Sequence, residues 1–226
     1  MIRGIFFDFN GCLLDDRGLT FKSVQEVCRA FKTSKLPIFE EWRRSIGSNY
    51  MDFYRSAGVD PQVTAKELNA VRNNYVLSNW REAQLRSDAV SVVTRCKNEG
   101  LKVAIVSAET NRLLIRRIKG AGLEKVFDAI YTDASPKKAY LDKALKDLQL
   151  LPEEVLFIED TAEGVRAGRE AGLITVGFVN DTSFGFHDDI RKAKPRWTIA
   201  ELSEIFVVIN YVNLASRIYP DYLERR

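Results

Sequence analysis

The chain has 226 residues, 46% hydrophobic and 29% charged, with 34 basic against 31 acidic side chains and a net charge of +3. That length suits one large domain, or a core with a small insert. The near-balance of charge gives no argument for nucleic acid or an anionic membrane as a partner. Three cysteines at unrelated spacings, with no Cys-x-x-Cys, point to reduced thiols in a cytoplasmic protein. Arg3 and Asp8 leave no room for a signal peptide, and no apolar stretch approaches the ~20 residues of a membrane span.

Taken in chain order, the first element is an apolar run, Ile2–Phe9, which delivers Asp8 near its end and enters a turn at Asn10-Gly11. It reads as a buried parallel strand. The next stretch, Asp15 to Arg86, contains no convincing strand. Val24, Val27, Cys28 and Phe31 fall on one helical face, Phe39, Trp42 and Ile46 on a second, and Leu68, Val71 and Tyr75 on a third, so a helical insert is expected. It leaves the core directly after the Asp8 loop and is expected to overhang it. Beyond the insert, strands and helices alternate. Ala89, Val92, Val93 and Cys96 mark a helix ending at Glu99-Gly100, before the strand Leu101–Ser107. Leu113, Leu114 and Ile118 mark another helix. Ser135-Pro136 resembles a helix start, with Leu141, Ala144, Leu145 and Leu148 following. The strand Val155–Ile158 runs into Glu159-Asp160, then a helix from Thr161 to Gly172 and the strand Ile174–Val179. The tail from about Leu202, with Ile205-Phe206-Val207-Val208-Ile209, fits a closing helix or an edge strand. This alternation predicts an α/β fold, a Rossmann-like doubly wound parallel sheet. Its ligand crevice belongs at the carboxyl ends of the strands.

Four chemical features fall at those ends: Asp8, Ser107, Lys137 or Lys138, and Glu159-Asp160. Their order, with Asp8-Phe9-Asn10-Gly11, Val106-Ser107-Ala108 and Glu159-Asp160 through Gly164-Val165-Arg166-Ala167-Gly168, resembles motifs I to IV of the haloacid dehalogenase-like (HAD) hydrolases. The pattern is closest to the capped group of β-phosphoglucomutase and phosphoglycolate phosphatase. The resemblance implies a HAD core of residues 1–14 and 87–226 with a helical C1 cap at 15–86. It implies a Mg²⁺-dependent phosphatase acting on a small phosphorylated metabolite through an aspartyl-phosphate on Asp8. In that reading Asp8 and Asp160 supply carboxylates to the metal, Asn10 its main-chain carbonyl, and Glu159 lies beside them. Ser107 Oγ and main-chain N–H groups of Phe9, Gly11 and Ala108 hold phosphate oxygens, and Lys137 or Lys138 neutralises the nucleophile. The chemistry asks for these groups, because phosphoryl transfer needs an in-line nucleophile and neutralisation of spreading negative charge. Hard oxygen ligands suit Mg²⁺. Arg44, Ser48 and Asn49 flank a glycine break in the insert, where capped relatives place a substrate-specificity loop.

Asn10 departs from the family pattern. The family's second aspartate protonates the leaving group and then activates water, and an amide does neither. Three explanations stand side by side: an Asp-to-Asn variant made to trap a complex, a slow or inactive homologue, and a branch that dispenses with this proton shuttle. The corresponding functions are an impaired phosphatase, a catalytically inactive phospho-ligand-binding protein, and a phosphonatase-, dehalogenase- or phosphomutase-like enzyme. Simpler roles exist for each residue: a strand-end acid or serine can cap a helix, and a lysine can be a solvated charge. The sequence does not define the oligomeric state.

Overall fold

In the computed structural model, which describes residues 1–46 and 50–219, the chain divides into two compact units, Met1–Leu14 with Leu85–Arg226, and Asp15–Gln84. The first is built on six parallel strands: β1 (Gly4–Phe7), β2 (Lys102–Val106), β3 (Ala129–Tyr131), β4 (Val155–Glu159), β5 (Ile174–Phe178) and β6 (Trp197–Ile199). Their order across the sheet is 3-2-1-4-5-6, the arrangement of doubly wound nucleotide-binding folds. Two-residue strands, Leu14–Asp15 and Gln84–Leu85, carry the chain out of this unit and back.

The central strands are apolar on both faces because helices cover both. Every residue of β1, β4 and β5 is buried, as are the last four of β2. The register aligns their ends: Phe7 of β1 lies beside Ile105 of β2 and Ile158 of β4. The residues that follow these strands therefore emerge side by side. The two outer strands escaped the sequence reading. β3 and β6 have three residues each and are only partly buried, so they lack the continuous apolar run that marks an interior strand.

The second unit contains α1 (Arg17–Ala30), α2 (Phe39–Ser45), α3 (Tyr50–Ser56) and α4 (Ala65–Ser78). Val24, Val27 and Cys28 are buried along α1, and Phe21, Phe39 and Trp42 form an aromatic cluster with ring centroids 5.2–5.5 Å apart. Thr64 and Glu67 close a reciprocal cap at the start of α4. Leu68 is buried there, but Val76 and not Val71 or Tyr75 completes the buried face.

The sheet unit carries α5 (Ala89–Asn98), α6 (Asn111–Gly120), α7 (Lys137–Leu148), α8 (Ala162–Glu170), α9 (His187–Lys192) and α10 (Ile205–Ile218). The tail is thus a helix. Ile205, Phe206, Val208, Ile209 and Val212 form its buried face, a spacing that a strand would split between two sides. No described helix is long and apolar enough to cross a membrane. All three cysteines are free and buried.

Helix α8 lies close on the sheet because it has no side chain at two contact points. A Cβ at Gly168 would stand 2.6 Å from the Phe157 ring and 2.7 Å from the Thr175 methyl. A Cβ at Gly164 would collide with the Glu159 carboxylate. Gly168→Val should therefore overpack this layer and cost about 1–3 kcal/mol. Urea denaturation would show it as a lower midpoint at unchanged slope; an unchanged midpoint would contradict the close packing of α8.

Candidate active site

The aligned strand ends gather four polar groups. Asp8 is the first residue beyond β1, and its N–H donates to the Ile158 carbonyl at 2.9 Å, which ties it to the end of β4. Ser107 is the first residue beyond β2, and Asp160 the first beyond β4. Lys137 is the first residue of α7, after the β3 crossover. Asp8, Ser107, Glu159 and Asp160 are all buried.

Lys137 joins two of these acids. Its Nζ stands 2.9 Å from Asp8 Oδ1 and 2.6 Å from Glu159 Oε2. The other Glu159 oxygen accepts from the N–H of Asp160 at 3.1 Å, and from the N–H and hydroxyl of Thr161 at 2.9 and 2.8 Å. Burial works against the ammonium charge, yet the two carboxylates lift the Lys137 pKa above the ordinary lysine range. Asp8 does not gain as much from the pairing as an exclusive partner would. Burial pushes its pKa up to about 7, Lys137 opposes the shift, and the Glu159 charge adds to it. Asp160 is pushed well above the usual carboxylate range by burial and then by Glu159 and Asp8.

Asp160 has the geometry of a cation ligand. Its Oδ2 accepts from the Phe184 N–H at 2.6 Å, whereas Oδ1 is buried without a hydrogen-bond partner. Ligand atoms of Asp8, Cys12 and Asp160 lie within 4.8 Å of one another. An orphaned buried carboxylate oxygen beside a second carboxylate is a hard-oxygen donor set, which fits Mg²⁺; the buried, protonated Cys12 thiol is a poor partner for that ion. Gly11 makes the approach of the first loop to Asp160 achievable. Its φ is +78°, and a Cβ there would collide with the Asp160 carboxylate and stand 2.6 Å from the Phe184 ring.

A second group surrounds position 10. Asn10 Nδ2 donates to Glu109 Oε2 at 3.2 Å, and Asn10 Oδ1 accepts from the Ser107 hydroxyl at 3.3 Å. The Glu109 N–H donates to Ser107 Oγ at 3.1 Å, closing the triangle.

The remaining sequence candidates fall at different distances from this centre. Lys138 pairs with Asp142 on the exposed side of α7, so Lys137 is the lysine at Asp8. Glu159 spends its oxygens on Lys137 and the 160–161 turn. The Gly11 N–H donates to the Leu14 carbonyl and the Phe9 N–H bonds the Asp8 carboxylate, so both are engaged locally; Ala108 is exposed. Arg44 is exposed on α2, and Ser48 and Asn49 lie outside the described residues. Three contributors were missed. Glu109 follows a strand end by only three residues, a position that could have been read. Arg86 bonds the Gly11 and Cys12 carbonyls at 2.6 and 2.7 Å and Thr182 Oγ1 at 2.7 Å, bracing the first loop. Phe184 acts through its main chain, which no sequence pattern reveals.

The comparisons with known proteins agree with this architecture. Residues 5–178 match the family model described as haloacid dehalogenase-like hydrolase. The pyrophosphatase PpaX of Listeria monocytogenes serotype 4a (strain HCC23) is 24% identical over 214 residues, covering 92% of this chain and 96% of its own. A haloacid dehalogenase-like hydrolase from Streptococcus pneumoniae superposes with a TM-score of 0.76 at 19% identity, over 92% of this chain and 98% of its own. The crystal structure of CbbY from Rhodobacter sphaeroides in complex with phosphate superposes with a TM-score of 0.77 at 20% identity, over 91% and 96%. With the matched region running from the first strand through β5 and including Asp8, Ser107, Lys137 and Asp160, the chain belongs to the haloacid dehalogenase-like hydrolases.

Proposed function

We propose that this chain is a Mg²⁺-dependent phosphatase that hydrolyses a small phosphomonoester through a phosphorylated Asp8, at a rate limited by the amide at Asn10. The observation that carries the reading is the Asp8–Lys137 contact at 2.9 Å beside the partnerless Asp160 oxygen. Relatives named as pyrophosphatases, and a phosphate-bound structural neighbour, support a small phosphorylated substrate. Inorganic pyrophosphate is accordingly the first alternative to a phosphomonoester. In this reading the helical unit Asp15–Gln84 is the C1 cap.

Each residue then has a task. Asp8 attacks phosphorus, its new oxygen–phosphorus bond forming as the bond to the leaving oxygen breaks. Lys137 spreads positive charge over Asp8 and the arriving phosphoryl group, and Glu159 holds that ammonium in place. Ser107 Oγ offers a hydrogen bond to a phosphate oxygen. Asp8 and Asp160 would hold Mg²⁺, which, when bound, neutralises charge on the transferring group. Asn10 neither donates nor takes a proton as a carboxyl group does, and loss of general acid–base help typically costs about 10²–10⁴-fold in rate.

The unaltered chain should release phosphate slowly from phosphomonoesters or pyrophosphate with Mg²⁺, and Asn10→Asp should accelerate it. Asp8→Ala should abolish turnover in both backgrounds. If neither protein turns over, or Asp8→Ala leaves turnover intact, the reading is wrong.

The pairing of Lys137 gives a stability test. Lys137→Met would leave Asp8 and Glu159 buried without their cation, a loss of about 3–5 kcal/mol. Lys138→Met, at an exposed pair, should barely move the urea midpoint. Equal effects at the two positions would contradict the arrangement.

Asp8 also sets a pH dependence. Its folded pKa, about 7, lies above its ordinary 3.8, so folding favours the protonated acid. The associated stability is fully present below the unfolded value and lost as pH rises through about 7. A bound cation compensates the charged form. The rise in Tm on adding Mg²⁺ should therefore be larger at about pH 8 than at about pH 5. A rise that is the same at both would show that Asp8 does not face the ion.

A further inference from the structure

Asp8 and Asp160 follow different strands, and a cation between them needs both carboxylates at a fixed separation. Mg²⁺ is exacting in this respect, taking oxygen ligands at about 2.0–2.1 Å in near-octahedral geometry. The first loop already stands as close to Asp160 as backbone allows, since a Cβ at Gly11 would collide with that carboxylate. Its own main-chain bonds, from the Gly11 N–H to the Leu14 carbonyl at 2.8 Å and from the Leu14 N–H to the Phe9 carbonyl at 2.9 Å, shape the loop without tying it to Asp160. Arg86 supplies a tie. Its Nη2 and Nε donate to the Gly11 and Cys12 carbonyls at 2.6 and 2.7 Å, and its Nη1 donates to Thr182 Oγ1 at 2.7 Å and Asn180 Oδ1 at 3.4 Å. The guanidinium lies over the Phe178 ring at the end of β5, 4.6 Å from its centroid.

The turn that Arg86 grips is the one that aims Asp160. Asn180 Oδ1 accepts from the Thr182 N–H and hydroxyl, both at 3.1 Å. Ser183 Oγ accepts from the Asn180 N–H at 3.0 Å and donates to the Phe178 carbonyl at 3.1 Å. From this fixed turn the Phe184 N–H donates to Asp160 Oδ2 at 2.6 Å, and the Gly185 N–H to the Asp160 carbonyl at 3.1 Å. One planar group therefore links the loop after Asp8 to the turn that orients Asp160. We propose that Arg86 is a positioning residue that sets the separation of Asp8 and Asp160 for a single Mg²⁺, an inference that rests on the metal-dependent reading above. The fork of the guanidinium suits this task, because its donors point to acceptors on two segments at once, whereas the donors of a lysine diverge from one atom. The Arg86 N–H also donates to the Leu13 carbonyl at 2.9 Å, a bond that a change of side chain leaves in place.

The test reads Mg²⁺ affinity from Tm against MgCl₂ concentration in the full chain, for the unaltered protein, Arg86→Lys and Thr182→Val. Urea midpoints and hydrolysis of p-nitrophenyl phosphate are measured on the same preparations. Arg86→Lys keeps the charge and loses the fork, and the Kd for Mg²⁺ should rise about 10- to 100-fold. Thr182→Val leaves Arg86 in place and removes one acceptor, so the Kd should rise in the same direction by less; this variant decides the matter if Arg86→Lys folds poorly. At saturating Mg²⁺ the kcat of both should return to within about threefold of the unaltered chain, with KM for the phosphate ester little altered. A purely structural brace would lower the urea midpoint and leave the Kd for Mg²⁺ unchanged. An unchanged Kd in the folded variants overturns the proposal and leaves the hydrolase reading standing. If the unaltered chain binds Mg²⁺ but hydrolyses nothing, the hydrolase reading falls and the Kd series still decides the role of Arg86. If it binds no Mg²⁺, the proposal falls with the metal.

Discussion

One ammonium group shared between two buried carboxylates organises this molecule's chemistry. Lys137 touches Asp8 and Glu159 at once, and Asp160 adds a third buried acid at the same end of the sheet. In water such a cluster would be ordinary. Under burial, each charge loses hydration, and one lysine cannot stabilise three carboxylates. The strain appears as raised pKa values at Asp8 and Asp160, and as an Asp160 oxygen with no donor. An arrangement with this much uncompensated acidity is poorly suited to stability alone. It is well suited to receiving positive charge, whether from a cation or from the redistribution of charge when a phosphoryl group arrives. The position of Lys137 in the first turn of α7 points the same way, since a cation there opposes the helix dipole and is better placed at the other end.

The sheet makes the cluster possible. Strand order 3-2-1-4-5-6 places β1 and β4 side by side, although almost 150 residues separate them in the chain. Phe7 lies beside Ile158, so Asp8 and Glu159 leave the sheet at the same height. Glycines then bring backbone close where side chains would intrude: Gly11 against the Asp160 carboxylate, Gly164 against Glu159. Arg86 braces the same loop by bonding its carbonyls, so Asp8 and Asn10 project from a turn held on both sides. Rigid support of this kind would keep Asp8 oriented for the in-line attack proposed for it.

Much of this was legible in the sequence because the signals were strong and local. Buried parallel strands are continuous apolar runs, and the four runs read as strands correspond to β1, β2, β4 and β5 within about two residues. The acids and the serine lie at the ends of those runs, which is where their positions can be read without knowing any contact. Legibility failed where the determinant was tertiary. β3 and β6 are short, partly buried edges with no run to detect. The ambiguous tail became a helix because its apolar face packs on the sheet unit, and no local propensity decided between the alternatives. The choice between Lys137 and Lys138 depends on which face of α7 looks toward Asp8, a question of helix phase that two adjacent lysines leave open. Glu109 escaped because its meaning lies in its neighbour: a glutamate in a loop is unremarked until its carboxylate is found against the side chain of residue 10.

That contact changes how the amide at position 10 should be understood. Taken alone, Asn10 lacks the proton that a carboxyl group at that position can carry. Within the fold, its amide is held on both sides, by the Glu109 carboxylate and the Ser107 hydroxyl. The geometry satisfies both partners, with each Asn10 side-chain polar atom and each Glu109 oxygen engaged. The orientation of the side chain at position 10 is therefore set jointly by residues 107 and 109.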